Sequence, residues 1–273
     1  AAIVQSAGAD FSLLGPKSTQ LKSKKKVISI CAVRTGSGKS QITDYIGDIL
    51  DTKKIKYTVV RHPMPYGNLK KQKVQIFKSY DDLNIHNTTI EEREEYELHL
   101  AKSRIVLAGI DYKEILKEAE KRSQIILCDG GNNDLPFFKS DLHIVLVDPL
   151  RQNHELLFYP GLTNLIMADI VIINKENSAN KKQIENSIKN IRKVNSKAKI
   201  IHTDSIIQLD SKVKANSKAI VIEDGPTTTH GGMNYGAGWI AAKKLRLKLI
   251  QPQKFAVGSL KKLYNKYSNL KEI

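Results

Sequence analysis

The chain has 273 residues, 41% of them hydrophobic and 26% charged, which fits a globular protein with a sizeable core. No apolar run approaches a membrane span, no secretory leader is evident, and two cysteines far apart make no disulfide framework. The net charge of +16 is concentrated in residues 178–273, which carry 19 Lys and Arg against 6 Asp and Glu. Only Arg192 and Arg246 in that half are arginines, whereas nucleic-acid surfaces mix Arg and aromatics with Lys. The excess therefore reads as a solvated lysine face, and no nucleic-acid or membrane partner is expected.

Residues 1–24 show no period and carry Gly8, Gly15 and Pro16, ahead of a basic KSKKK run at 22–26. Val27–Val33 is a continuous β-rich apolar run, the signature of a strand buried on both faces. A glycine-containing loop follows, then SQITDYIGDIL, with Ile42, Tyr45, Ile46, Ile49 and Leu50 at helical spacing. Tyr57–Val60 is the next strand and ends in Arg61-His62. Residues 63–89, rich in Pro, Gly, Asn and Lys, read as a long excursion. IEEREEYELHL reads as an acidic helix, RIVLAGI as a short strand, and Asp111–Lys121 as an amphipathic helix. Strands at 124–128, 142–147 and 170–174 end beside Asp129, Asp148 and Lys175. Ile184, Ile188, Ile191 and Val194 mark a helix, and AKIIHT and AIVIED read as two further strands. A glycine-rich loop, Gly225–Gly238, leads into the helix WIAAKKL.

Alternating strands and helices predict an α/β fold, a mainly parallel sheet covered by helices on both faces in three layers. Ligands of such sheets bind beyond the carboxyl ends of the strands, and the polar clusters all fall there. The expected division is a lead-in at 1–24, one domain at 25–250, and the start of a C-terminal segment at 251–273.

The chemistry begins at AVRTGSGKSQ, Ala32 to Gln41. Gly38-Lys39-Ser40 closes it as a phosphate-binding loop does, although Val33 stands where the motif has its first glycine. Gly36 and Gly38 let the backbone approach phosphates, Lys39 reaches them, and Ser40 ligates Mg²⁺. The strand before and helix after make this a P-loop NTPase-like domain. Gly36, Ser37, Gly38, Lys39, Ser40 and Gln41 are the candidates for holding ATP. Two cysteines beside such a loop favour the reducing cytoplasm. Arg34, inside the loop, is a candidate for bidentate phosphate contact, including across a homodimer interface.

CDGGNND, Cys128 to Asp134, closes an apolar strand, and Asp129 is the second expected Mg²⁺ ligand. Cys31 and Cys128 read as buried small apolar residues. INKEN, Ile173 to Asn177, resembles a guanine-reading motif, with Asn174 and Lys175 against the base. Asn177 cannot present two acceptors to guanine, so adenine or no strict choice is expected. RHPMPYGN, DPLRQNHE and GPTTTHGG lie at the same edge and suggest a second, anionic substrate. Arg61, His62, Arg151, His154, Thr228 and His230 are its candidates. The histidines show no zinc spacing.

Together with VVRHPMPYGNL, TIEEREEYELH, CDGGNNDLPFF, LHIVLVDPLRQNHE, YPGLTNLIMADIVIINK and EDGPTTTHGGMNYGAG, these motifs resemble the cyclic 2,3-diphosphoglycerate synthetases of archaea. The resemblance runs from about residue 10 to about 270 and departs from the family at Asn177. It implies an ATP-dependent ligase that closes 2,3-diphosphoglycerate into its cyclic pyrophosphate, releasing ADP and phosphate. It also implies a longer family chain, of which this is the central nucleotide domain. In that chemistry Lys39, Arg34, Asp129, Arg61 and His62 form the catalytic group. The alternative is a P-loop ATPase switch or assembly factor working as a nucleotide-dependent dimer.

Overall fold

A computed structural model describes all residues except 65, 67, 131–133, 224, 230, 231 and 271–273. Two short helices, α1 (Ala2–Ser6) and α2 (Pro16–Thr19), precede the first strand, β1 (Lys26–Ala32). Seven more strands join it in one sheet: β2 (Tyr57–Val60), β3 (Gln75–Phe77), β4 (Val106–Ala108), β5 (Ile125–Asp129), β6 (Leu142–Val147), β7 (Ile170–Ile173) and β8 (Lys199–His202). Their order is β3-β4-β2-β5-β1-β6-β7-β8. Every pairing is parallel except β3 with β4. The mainly parallel arrangement and its helical layers are those read from the alternation of apolar runs.

Period-two alternation splits the core into two faces. Ile30, Ala32, Leu127, Leu146 and Ile172 point to one face. There they meet α3 (Lys39–Thr52), α4 (Tyr80–Ile85) and α5 (Ile90–Leu100) through Ile42, Ile46, Leu83, Tyr96 and Leu100. Val27, Cys31, Val60, Cys128, Val145 and Val171 point to the other. That face is covered by α6 (Tyr112–Arg122), α8 (Gly161–Met167) and α9 (Lys181–Val194). The fourth member between these, α7 (His154–Leu157), is a single turn after β6. Both cysteines are buried thiols, and burial pushes Cys128 up to about 12.

The helix after the loop is pinned electrostatically as well as by packing. Asp44, Asp48 and Asp51 stand one turn apart on α3, and the buried Arg104 guanidinium bonds all three. Tyr45 and Ile49, expected to face inward, are 62% and 39% exposed instead. Ile42, Ile46 and Leu50 suffice for the buried stripe. Gly161 on α8 permits close approach to the start of the phosphate loop: a Cβ there would stand 2.7 Å from Val33 O.

Two expectations need correction. The excursion at 63–89 is not structureless: β3 adds an antiparallel edge strand and α4 packs Leu83 into the core. AIVIED is not a sheet strand. Only Lys218–Ala219 (β9) pairs, with Lys248–Leu249 (β10), in a separate two-stranded ribbon. Ile220 and Ile222 are exposed, so a β-branched run alone did not secure a place in the sheet. Beyond it come α10 (Gly225–Thr228), α11 (Ala237–Lys244) and α12 (Gly258–Lys266). Among the described residues no helix is long and apolar enough to cross a membrane.

Candidate active site

β1 lies between β5 and β6, and the phosphate-binding loop leaves its carboxyl end. Gly36 and Gly38 both take positive φ, 78° and 97°, where a side chain is strained. At Gly38 a Cβ would also clash with Asn174 Nδ2. These glycines therefore let the chain turn into α3, whose first residue is Lys39.

The loop is held from outside by its own carbonyls. Arg151 Nη1 donates to Thr35 O at 2.5 Å, Lys175 Nζ to Gly36 O at 2.5 Å, and Asn174 Nδ2 to Ser37 O at 2.9 Å. In a trans peptide the N–H points opposite to the C=O. The N–H groups of Gly36, Ser37 and Gly38 are thus turned away from these braces, and that of Ser37 reaches Arg34 O at 3.4 Å. With the amino end of α3, this donor set suits a polyphosphate.

Asp148, at the end of β6, organises the braces. It accepts from Arg151 Nη2 at 3.1 Å, Lys175 Nζ at 3.2 Å and Leu150 N at 3.0 Å. Arg151 also bonds Ser37 Oγ at 3.0 Å, and its pKa is lowered by burial, against the opposing pull of Asp148. Thr203 Oγ1 donates to Asn174 Oδ1 at 3.0 Å and fixes that amide. So Asn174 and Lys175, expected against a base, and Arg151, expected on substrate, all touch the loop itself. Asn177 uses both ends of its amide on the backbone of Ser205.

A second aspartate occupies the other flank. Asp129 ends β5 and is fully buried. Its Oδ1 accepts from Lys39 Nζ at 2.6 Å and Thr43 Oγ1 at 3.0 Å, and its Oδ2 pairs with Arg61 Nη1. His99 Nε2 stands 3.9 Å from Oδ2. Burial alone would raise this carboxyl's pKa, but Arg61 and Lys39 together hold it well below the ordinary range. Arg61 is also fully buried and pairs with Glu95 as well. Burial opposes its charge, and Asp129 and Glu95 more than restore it, so its pKa is raised. The charges of this cluster are matched within it.

Helix α5 supplies one wall. Glu92, Glu95, Tyr96 and His99 follow helical spacing on one face, so two of this helix's acidic residues face the cluster while Glu91 and Glu94 stay exposed. Glu92 caps the helix at Thr89 and accepts from Met64 N at 3.0 Å, fixing the turn after Arg61. Glu95, 30% exposed, marks where the cluster meets solvent.

The remaining candidates are spread around the loop. His62 Nδ1 lies 3.8 Å from Asp134 Oδ2. Arg34 lies over the Phe158 ring at 4.1 Å, and His154 packs on the same ring. Burial and the nearby Arg34 and Arg151 lower the His154 pKa. Ser40 follows Lys39 on α3, partly exposed, with Gln41 exposed beside it. Thr228 is buried and turns its hydroxyl back to Gly225 O at 3.2 Å, whereas its neighbour Thr227 lies against Gly36. His230 falls outside the described residues. Thr43, Glu95 and His99 were not singled out in the sequence, and Asp148 and Thr227 only as parts of the DPLRQNHE and GPTTTHGG clusters. Only Asp148 carried a signal like that of Asp129, an aspartate closing an apolar strand.

The comparisons follow this geometry. Residues 104–204 match the family model described as cyclic 2,3-diphosphoglycerate synthetase, P-loop domain. Over 267 residues the chain is 51% identical to arginine synthetase ArcE of Thermococcus kodakarensis. That alignment covers 97% of this chain and 60% of the relative, so the chain spans about three fifths of its length. Solved structures resemble it more distantly. LpxK from Aquifex aeolicus in complex with ATP has a TM-score of 0.42 at 20% identity, covering 56% of this chain and 49% of that one. The hydrogenase maturation factor HypB from Archaeoglobus fulgidus has a TM-score of 0.40 at 15% identity, covering 66% and 81%.

Proposed function

We propose that the chain is the nucleotide-binding part of an ATP-dependent synthetase whose second substrate is a ureido compound, converted with ammonia into a guanidino product. The carrying observation is the charge balance beside Lys39. Arg61 is matched by Asp129 and Glu95, and His62 faces Asp134. A bisphosphate with a carboxylate would call for surplus cations, whereas an amino-acid acceptor with its own ammonium suits matched charges. The 51% identity to a protein named arginine synthetase supports a guanidino product.

Bound ATP supplies the phosphoryl group that turns an acceptor oxygen into a leaving group. The loop N–H groups, the start of α3 and Lys39 are placed to hold its phosphates. Ser40 and Asp129 are the residues that would hold Mg²⁺, which would offset charge on the phosphates. Lys39 and Thr43 donate to Asp129 Oδ1. Arg61 stays on Oδ2 and, through Glu95, orients the acceptor. In net terms ammonia replaces the ureido oxygen, which leaves as phosphate while ATP becomes ADP.

The test is ADP release from MgATP with citrulline and ammonium, against 2,3-diphosphoglycerate, by the whole synthetase of which this chain is the nucleotide-binding part. Amino-acid analysis and phosphorus NMR identify the products. ADP with equimolar arginine is the expected result. A second reading, favoured by the family-model match at 104–204, is cyclisation of 2,3-diphosphoglycerate. It predicts ADP only with that compound, and a cyclic pyrophosphate resonance. ATP turnover independent of either substrate would favour the switch ATPase.

A further inference from the structure

The start of α6 borders a cleft of about 650 Å³, a volume suited to a small molecule. Three segments distant in sequence wall it. Ile110 N donates to Gln72 O at 3.0 Å and Asp111 N to Lys73 O at 3.1 Å. Gly109, with φ of 150°, permits that approach, because a Cβ there would stand 2.6 Å from Lys73 O. On the third side, Leu21 N donates to Phe137 O at 2.9 Å and Lys139 N to Leu21 O at 2.8 Å. The walls are thus tied to one another, or to the strands behind them, by main-chain hydrogen bonds.

The lining combines two chemistries. Leu21, Leu69, Ile110, Tyr112 and Phe137 make it apolar, with the last two rings stacked 3.8 Å apart between centroids and 19° from parallel. Leu69 and Ile110 are 47% and 39% exposed, large apolar side chains left in contact with water. Lys70, Lys73 and Lys113 supply cations against one lining acid, Asp111. That acid is already engaged: it accepts from Glu114 N at 3.1 Å and lies 3.6 Å from Lys73 Nζ. Among the described residues neither Lys70 nor Lys113 has an ion pair. Burial, with Asp134 nearby, raises the Tyr112 pKa, so its phenol adds no negative charge.

We propose that this cleft is a binding site for a small aromatic carboxylate. Its ring covers the apolar residues beside the Tyr112–Phe137 stack, and its carboxylate meets Lys70 and Lys113. A compact polyanion would leave Leu69 and Ile110 in water, and an uncharged apolar body would leave the two lysines unused. The lining shares no residue with the phosphate loop or the Asp129 cluster, and the inference does not rest on the synthetase reading.

The experiment is calorimetric titration of the 273-residue chain with indole-3-acetate and, separately, with indole-3-acetamide, which keeps the ring and lacks the charge. Saturable binding of the acetate is expected, with the amide about fivefold weaker. Lys70→Met and Lys113→Met are each expected to weaken the acetate by about threefold and to leave the amide unchanged. Leu69→Asp is expected to weaken both by about tenfold, with an unchanged melting temperature because the position is half-exposed. Lys39→Ala is expected to bind the acetate as the wild type does. Absence of saturable binding, or binding indifferent to all three cleft variants, overturns the site. Equal affinity for acetate and amide overturns the anionic class, leaving only an apolar groove. Loss of acetate binding in Lys39→Ala moves the ligand to the phosphate loop and overturns the site as well.

Discussion

Two buried aspartates flank the loop strand, and they do different work. Asp129, ending β5, grips the ends of side chains: the Lys39 ammonium and the Arg61 guanidinium. Asp148, just past β6, grips Arg151 and Lys175, whose other donors hold loop carbonyls. In the function proposed above, the first holds a group that leaves it to meet phosphate. The second holds a frame that need not move. Similar strand-end aspartates thus become a release point on one side and a scaffold on the other. The difference comes from what their cationic partners touch next.

Breaking the release side has the largest expected effect. Arg61→Met leaves Glu95 without its partner and the buried Asp129 with Lys39 as its remaining cation, one negative charge in excess. Removing one partner of a buried pair costs about 3–5 kcal/mol, read as a lower urea midpoint. Acid then separates this cluster from a background group, His143. Burial pushes His143 down to about 4 from 6.5, so its folded form stays neutral. Its stabilisation is complete above pH 6.5 and is lost as pH falls toward 4, by about 3 kcal/mol at 1.4 kcal/mol per unit. Asp129 is depressed from an ordinary 3.8, so its contribution is present above that pH and is lost only below it. His143→Leu is expected to flatten the upper phase of a stability–pH curve, and Asp129→Asn the lower. A curve unchanged by either variant would contradict this assignment.

Lys39→Ala sharpens the comparison from the binding side. Losing a cation on the phosphates is expected to weaken nucleotide binding about 100-fold, measured by titration, with the scaffold intact. Lys175→Met tests that scaffold: one carbonyl brace is lost, and affinity is expected to fall about tenfold. Equal losses for these two variants would erase the distinction between release point and frame. The smallest effect belongs to Asn177→Asp. Its amide bonds the Ser205 backbone, so competition between ATP and GTP is expected to keep its wild-type ratio.

Much of this architecture was legible in the chain. Val27–Val33, Tyr57–Val60 and Leu142–Val147 are apolar runs too short for helices and buried on both faces, and they became strands at nearly those bounds. Gly36, Gly38 and Lys39 were legible because positive φ and a helix-starting lysine are local demands. AIVIED misled because its β-branched residues met no neighbouring strand edge. The acidic helix misled in the other direction: Glu92, Glu95 and His99 look solvated until Arg61, Met64 and Asp129 are placed opposite them.

The sequence by itself determined most strands of the sheet, the phosphate loop and the sheet edge where the polar clusters gather. Each of these follows from local periodicity or from backbone conformations that few residues adopt. Only the tertiary structure decided that Arg151, Lys175 and Asn174 brace the loop, that Arg61 shares Asp129 with Lys39, and that Thr227 reaches Gly36. Those roles depend on partners roughly 70 to 190 residues away, and a side chain's charge or hydroxyl acquires its chemistry only from the groups that burial sets beside it.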